Sequence, residues 1–158
     1  MAIPLSETCP MIWIDADACP RPVREVLINA ARRQRCELTF VSQQPLQLPA
    51  LAAIRRVQVE AGFDAADSYI AERAQPGDLV ITQDLPLAAE CLARGAAVVN
   101  PHGEVLDEEN IRERLRVRAV LAEMRDAGQF SGGRSAMAAP DKARFANVLD
   151  RWLTRGRC

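Results

Sequence analysis

The chain has 158 residues, 49% of them apolar and 26% charged, and a formal net charge of −1. That suits one globular domain with a real core. No apolar run approaches the roughly 20 residues of a membrane span, and the basic start and long apolar run of a secretion signal are missing, so the expected location is cytoplasmic. The five cysteines are odd in number and scattered without a CxxC pair, and His102 is the single histidine. This argues against a disulfide frame or a zinc cage, so any metal has to be held by oxygen.

The near-neutral total hides an asymmetry. Residues 1–110 carry 9 basic and 16 acidic side chains, whereas residues 111–158 carry 11 basic and 5 acidic ones, and every basic residue except Lys142 is arginine. An acidic body with an arginine-rich end suits a metal site facing an anion-binding surface; the plainer alternative is a pair of solvated basic helices.

In chain order, residues 1–10 read as a loose leader. Met11–Ile14 is an apolar run of the kind found in a strand buried on both faces. Pro22–Arg35 follows as a helix with Val23, Val26, Leu27 and Ala30 at helical spacing, its prolines tolerated because they fall at the start. Glu37–Val41 reads as a second strand, Ser42–Pro49 as a loop, Ala50–Arg55 as a short helical turn and Arg56–Glu60 as a weak third strand. Asp64–Ala74 is predicted helical, capped by Asp64 or Asp67 and stopped at Pro76-Gly77. Leu79–Thr82 is a fourth strand, Pro86–Arg94 a helix and Ala96–Val99 a fifth strand. This βα alternation predicts a three-layer α/β/α fold with a mostly parallel sheet of about five strands. Two C-terminal helices follow, Leu106–Asp126 and Asp141–Arg155, joined by a glycine-containing loop over Gly128–Ala139. The whole is expected to be one domain, with 107–158 an arginine-rich helical extension packed on it.

Acids recur where strands end. Ile14 is followed by Asp15 and then Asp17; the fourth strand is followed by Gln83-Asp84. Ligands bind beyond the carboxyl ends of parallel strands, and the first and fourth strands of such sheets are commonly neighbours. Asp64 and Asp67 lie one turn apart at the start of the intervening helix. Clustered carboxylates raise one another's pKa, a bound cation relieves that cost, and oxygen-only ligands favour Mg²⁺ or Mn²⁺. Such a site can hydrolyse phosphodiesters. Structural roles compete: Asp17 could cap the helix near Pro20, Asp64 is an ordinary cap, and Asp78 reads as a turn residue. Cys19 reads as a buried small side chain, Trp13 and Trp152 as core, and His102 as exposed and inert. Asp15 and Asp84 have the weakest structural explanation.

The segments IDADACP, GFDAADSYI, GDLVITQDLPLA, NIRERLRVR and GGRSAMAAPDKARF, spanning nearly the whole chain from Met11, resemble the bacterial YaiI/YqxD family of uncharacterised proteins. The resemblance implies a PIN-like fold with sheet order 3-2-1-4-5. It matches the catalytic acids of PIN-like nucleases to Asp15, Asp67 and Asp84, the last in Thr82-Gln83-Asp84 with Thr82 supporting. Asp17 and Asp64 are doubled acids of the pattern, carried as further metal ligands. The acid that PIN domains place on a helix after the second strand has no counterpart in Ser42–Arg55. PIN-like domains often pair, so the resemblance leaves a homodimer open.

The leading expectation is therefore a Mg²⁺- or Mn²⁺-dependent nuclease acting on RNA, with Arg118, Arg134, Lys142 and Arg144 as candidate phosphate contacts. One alternative is a non-catalytic RNA- or protein-binding module. Another is a haloacid-dehalogenase-type phosphatase with Asp15 as nucleophile and Asp17 as acid/base.

Overall fold

The computed structural model describes residues 10–34, 36–60, 62, 65–126 and 139–155. Its organising strand is β1 (Met11–Asp15), where Ile12 and Ile14 are fully buried. A single 3-10 turn (Ala16–Ala18) leads into α1 (Arg21–Arg33), with Pro22 in its first turn where the missing N–H costs nothing. Strands β2 (Glu37–Ser42) and β3 (Ile54–Gln58) follow, then α2 (Ala65–Arg73), β4 (Leu79–Ile81), α3 (Leu85–Ala93) and β5 (Ala97–Val99). A two-residue β6 (Val105–Leu106) precedes the long helices α4 (Glu108–Asp126) and α5 (Ala139–Arg155).

The sheet runs β3-β2-β1-β4-β5-β6, all parallel except the β5–β6 pair. The predicted order of the first five strands is thus the observed one. Ile14 lies in register with Phe40 of β2 on one side and Ile81 of β4 on the other. Alternation along β1 sorts the two helical layers. Ile12 and Ile14 pack with Phe40, Ile81, Val23 and Leu27 of α1, and Phe145 and Leu149 of α5. Trp13 faces the opposite layer, with Val80, Ile70 of α2, Leu87 of α3 and Ile111 of α4. Each fully buried aliphatic side chain contributes about 1.5–3 kcal/mol, so β1 anchors both layers at once. Trp152 packs at the edge of the first layer.

Asp78 does more than turn the chain. Buried before β4, it accepts from Trp13 Nε1 at 3.0 Å, Gln75 N at 3.0 Å and Met11 N at 3.2 Å. It thereby ties the start of β1 to the start of β4.

Four expectations need correcting. No helical turn spans Ala50–Arg55: Ile54 N bonds Leu51 O in a tight turn, and β3 begins at Ile54, two residues before the predicted start. Val105–Leu106 is a strand, because Asp107 and Asn110 exchange hydrogen bonds (Asn110 N to Asp107 Oδ1 2.7 Å, Asp107 N to Asn110 Oδ1 2.9 Å) and so set the start of α4 at Glu108, two residues later than expected. His102 is neither exposed nor idle: its Nδ1 lies 2.9 Å from Asp141 Oδ2, joining the turn after β5 to the start of α5. Asp84 has a structural use after all, taken up below. Beside His102, Gly103 has φ +88° and passes so close to α5 that a Cβ would sit 2.6 Å from Phe145 N, which leaves room for glycine alone. The loose leader (residues 1–9), Cys9, Cys158 and most of the predicted 128–139 loop lie outside the described residues.

Candidate functional site

β1 and β4 are hydrogen-bonded neighbours and their carboxyl ends open on one rim. Asp15 ends β1 on the Trp13 side, and Thr82 follows β4 on the Val80 side, so both point toward the α2–α3–α4 layer. There the Thr82 hydroxyl donates to Asp15 Oδ2 at 3.0 Å and accepts from Asp84 N at 3.0 Å. Thr82 is 1% exposed and Asp15 8%. Asp84 is the N-cap of α3, its Oδ1 accepting from Leu87 N at 2.8 Å. A carboxylate there complements the positive end of the helix.

Asp15 is held above the ordinary carboxylate range. Burial is the main cause; the Thr82 hydrogen bond opposes it, and the nearby charges of Asp84 and then Asp17 raise it further. Among the described residues one neutral hydroxyl is its side-chain donor and no basic group offsets its charge. Cys19, buried below, has its thiol pushed up to about 12 by desolvation, with Arg24 opposing and Asp15 adding, which removes it as a nucleophile at neutral pH.

Asp17 is exposed and its two oxygens face backbone amides of the loop after β2: Gln43 N at 2.7 Å and, more loosely, Gln44 N at 3.5 Å. It does not cap α1, whose N-cap Pro20 has no side-chain partner. Instead it fastens the end of β1 to the end of β2.

Asp67, in the first turn of α2, and Asp84 line one cleft of about 380 Å³ between α2, α3 and α4, and Arg118 of α4 forms part of the same wall. Glu72 and Glu90 also line it. Sequence reasoning missed these two, because their approach depends on how α2 packs against α3, which no local signal encodes. Asp64 and Arg134 lie outside the described residues. Lys142 and Arg144 sit on α5 in the opposite layer: Lys142 Nζ lies 3.9 Å from Glu25, and Arg144 Nη1 lies 3.4 Å from both His102 O and Asp141 Oδ1. Of the described basic candidates, Arg118 alone joins the acids.

No three acidic, histidine or cysteine side chains among the described residues stand together as a ready-made metal cage. The donor set nevertheless fits a hard divalent cation. Mg²⁺ commonly takes one or two carboxylates and completes its shell with water and substrate oxygens. Among the described residues no basic group offsets the charge of buried Asp15, and Asp84, close enough for its charge to be felt there, is tied to it through Thr82, which bonds the Asp15 carboxylate and the Asp84 backbone N–H.

Among the described residues no helix is long and apolar enough to cross a membrane. No solved structure matches the chain. Curated relatives, each named only UPF0178 protein, include one from Saccharophagus degradans, 50% identical over 92% of this chain and 96% of its own length. A second, from Myxococcus xanthus, is 50% identical over 91% and 94%, and a third, from Xanthomonas campestris, 50% identical over 98% and 97%. The family model described as "Uncharacterized BCR, YaiI/YqxD family" matches residues 13–155, and with relatives this similar along nearly their whole length the chain belongs to that bacterial family.

Proposed function

We propose that the protein is a divalent-cation-dependent phosphodiesterase, a nuclease acting on RNA, with its centre at the carboxyl rim of β1 and β4. The observation that carries this reading is the linkage Asp15–Thr82–Asp84: a buried carboxylate with unrelieved charge, bonded to the turn that presents a second. Asp15 and Asp84 would hold Mg²⁺ or Mn²⁺. Such an ion, when bound, lowers the pKa of water and offsets charge on a phosphoryl oxygen. Thr82 fixes the Asp15 carboxylate so that one edge faces the rim. Asp67, across the cleft, can accept a proton or orient water, and Arg118 supplies the positive wall that draws in a phosphodiester.

The phosphatase alternative loses support because Asp17, its acid/base, faces two backbone amides and braces the β2 loop. The deciding experiment is a Mn²⁺ titration of chelator-treated protein followed by thermal melting, paired with cleavage of a short single-stranded RNA. A native-state ligand raises the melting temperature by mass action. The proposal expects that rise, its loss in Asp15→Asn, and metal-dependent cleavage. A rise without cleavage of any phosphodiester favours a binding module; no rise at all refutes the cation site.

A further inference from the structure

A second hollow adjoins the acidic cleft. It holds about 330 Å³ and lies between the start of α3 and the middle of α4. Its lining is almost wholly apolar, with Leu85, Val117 and Leu121 as the apolar side chains and Glu113, Arg114 and Arg118 as the polar ones. On α4, Arg114, Val117, Arg118 and Leu121 fall at i, i+3, i+4 and i+7, so one face of the helix builds the wall. The apolar groups stay open to solvent: Val117 is 48% exposed, and Leu85 and Leu121 are half-buried. Two links join this hollow to the rim. Leu85 directly follows Asp84, and Arg118 lines hollow and cleft alike. Of the polar groups, Glu113 already accepts from Arg116 Nη2 at 2.6 Å, and Arg114 holds both oxygens of Glu104 at 3.2 and 3.0 Å. Arg118 is exposed and, among the described residues, enters no ion pair. The hollow therefore offers apolar surface and one uncommitted cation.

We infer that this hollow is a nucleobase subsite for single-stranded RNA, an inference that rests on the nuclease reading above and names the strand it takes. A nucleotide carries a flat, weakly polar ring one sugar away from its phosphate. The molecule offers the matching pair of surfaces: an apolar hollow and an acidic, cation-binding cleft, with Arg118 common to both. A phosphate beside Arg118 leaves its base to lie against Leu85, Val117 and Leu121, one face on the apolar wall and the edge toward water. Pockets of this make-up, apolar walls with few polar groups, are the usual form of a small-ligand site. A base stacked and paired inside a duplex cannot turn aside into such a hollow, whereas an unstacked base of a single strand can. Because Glu113 and Arg114 are committed to Arg116 and Glu104, little is left to read the base edge by hydrogen bonds. Every base has a face, so the subsite tolerates all four.

The test compares two probes that a phosphodiesterase does not cleave, adenosine monophosphate and ribose phosphate, which differ by the base. Each is titrated calorimetrically into the full chain with Mn²⁺ present. The wild type should bind the nucleotide roughly tenfold more tightly, the scale of one apolar contact of this size. Val117→Asn, at an exposed position, should bring the nucleotide down to the level of ribose phosphate. It should leave ribose phosphate binding, the melting temperature and its rise with Mn²⁺ unchanged. Val120→Asn, also on α4 and 54% exposed but outside the hollow, should behave as the wild type does. Arg118→Met should weaken both probes together, and more so at low salt. Equal affinities for the two probes, with the Mn²⁺ rise intact, overturn the base subsite and leave the cation site standing. A tenfold preference without any Mn²⁺ rise supports the subsite and overturns the cation site. Loss of the preference in Val120→Asn as well as Val117→Asn overturns the assignment to the hollow. So does a Val117→Asn variant that keeps the preference and changes only the sedimentation of the protein, which would make this face a contact between protein chains.

Discussion

The hydroxyl of Thr82 lies 3.0 Å from Asp15 Oδ2 and orients that carboxylate across the junction of β1 and β4. Because the same oxygen accepts from Asp84 N, one buried hydroxyl satisfies a charged acceptor and a backbone donor together. Thr82→Val removes both bonds at nearly constant volume. It should cost about 1–3 kcal/mol in urea unfolding, the usual penalty for stranding buried polar partners. Thr82→Ser keeps the hydroxyl and should recover most of that loss. A valine variant as stable as the wild type would mean the bridge contributes nothing to the fold.

The raised pKa of Asp15 makes a signed prediction for chelator-treated protein. Burial, with Asp84 and Asp17 adding and Thr82 opposing, makes the folded chain hold this proton more tightly than the unfolded chain does. The contribution of the group to stability is therefore complete below its unfolded value of about 3.9, and is lost as pH rises through the higher folded value. Asp15→Asn has no such loss. Melting profiles of the two proteins should converge at acid pH and separate in favour of the variant as pH rises, levelling once Asp15 is fully ionised. A constant difference across that window would show that Asp15 does not titrate abnormally.

Much of this arrangement is legible in the sequence, and the physical reasons differ from element to element. The β1 run is apolar on both faces and ends in acids, so its place at the centre of a parallel sheet and the position of Asp15 can be read directly. The strand order follows only from the family resemblance. Ala50–Arg55 misleads because its alanines and leucine favour a helix, while β2 offers a parallel partner that recruits Ile54 and Arg55 into a strand. Asp84 misleads in another way: Pro86 two residues on marks it as an N-cap, a signal outweighed in the sequence by the acid's position after a strand. Arg118, Lys142 and Arg144 look equivalent along the chain, yet the layer each helix joins separates the first from the other two. That choice is made by tertiary packing and leaves no local trace.

Asp78 is the control for the acids of the rim. It accepts from an indole N–H and two backbone N–H groups at the opposite end of β1. Asp78→Ala strands all three donors and should lower stability by ~3 kcal/mol, the scale of a buried charge-assisted bond and its desolvated partners. The Mn²⁺-induced rise in melting temperature should survive in the variant. Loss of that rise with the fold intact would tie the two ends of the strand together in a way the geometry does not suggest.

Asp84 has two roles that a pair of substitutions can separate. As N-cap of α3 its Oδ1 accepts from Leu87 N, and asparagine caps a helix about as well as aspartate does. Asp84→Asn should therefore keep the fold, and stability should hold or rise as the charge facing Asp15 disappears. Asp84→Ala removes the cap too and should cost ~1 kcal/mol. Both should abolish metal-dependent RNA cleavage to the same extent if the carboxylate holds the cation. Activity retained in Asp84→Asn but lost in Asp84→Ala would assign the residue to the helix alone, leaving Asp15 without the second carboxylate on which the proposed chemistry depends.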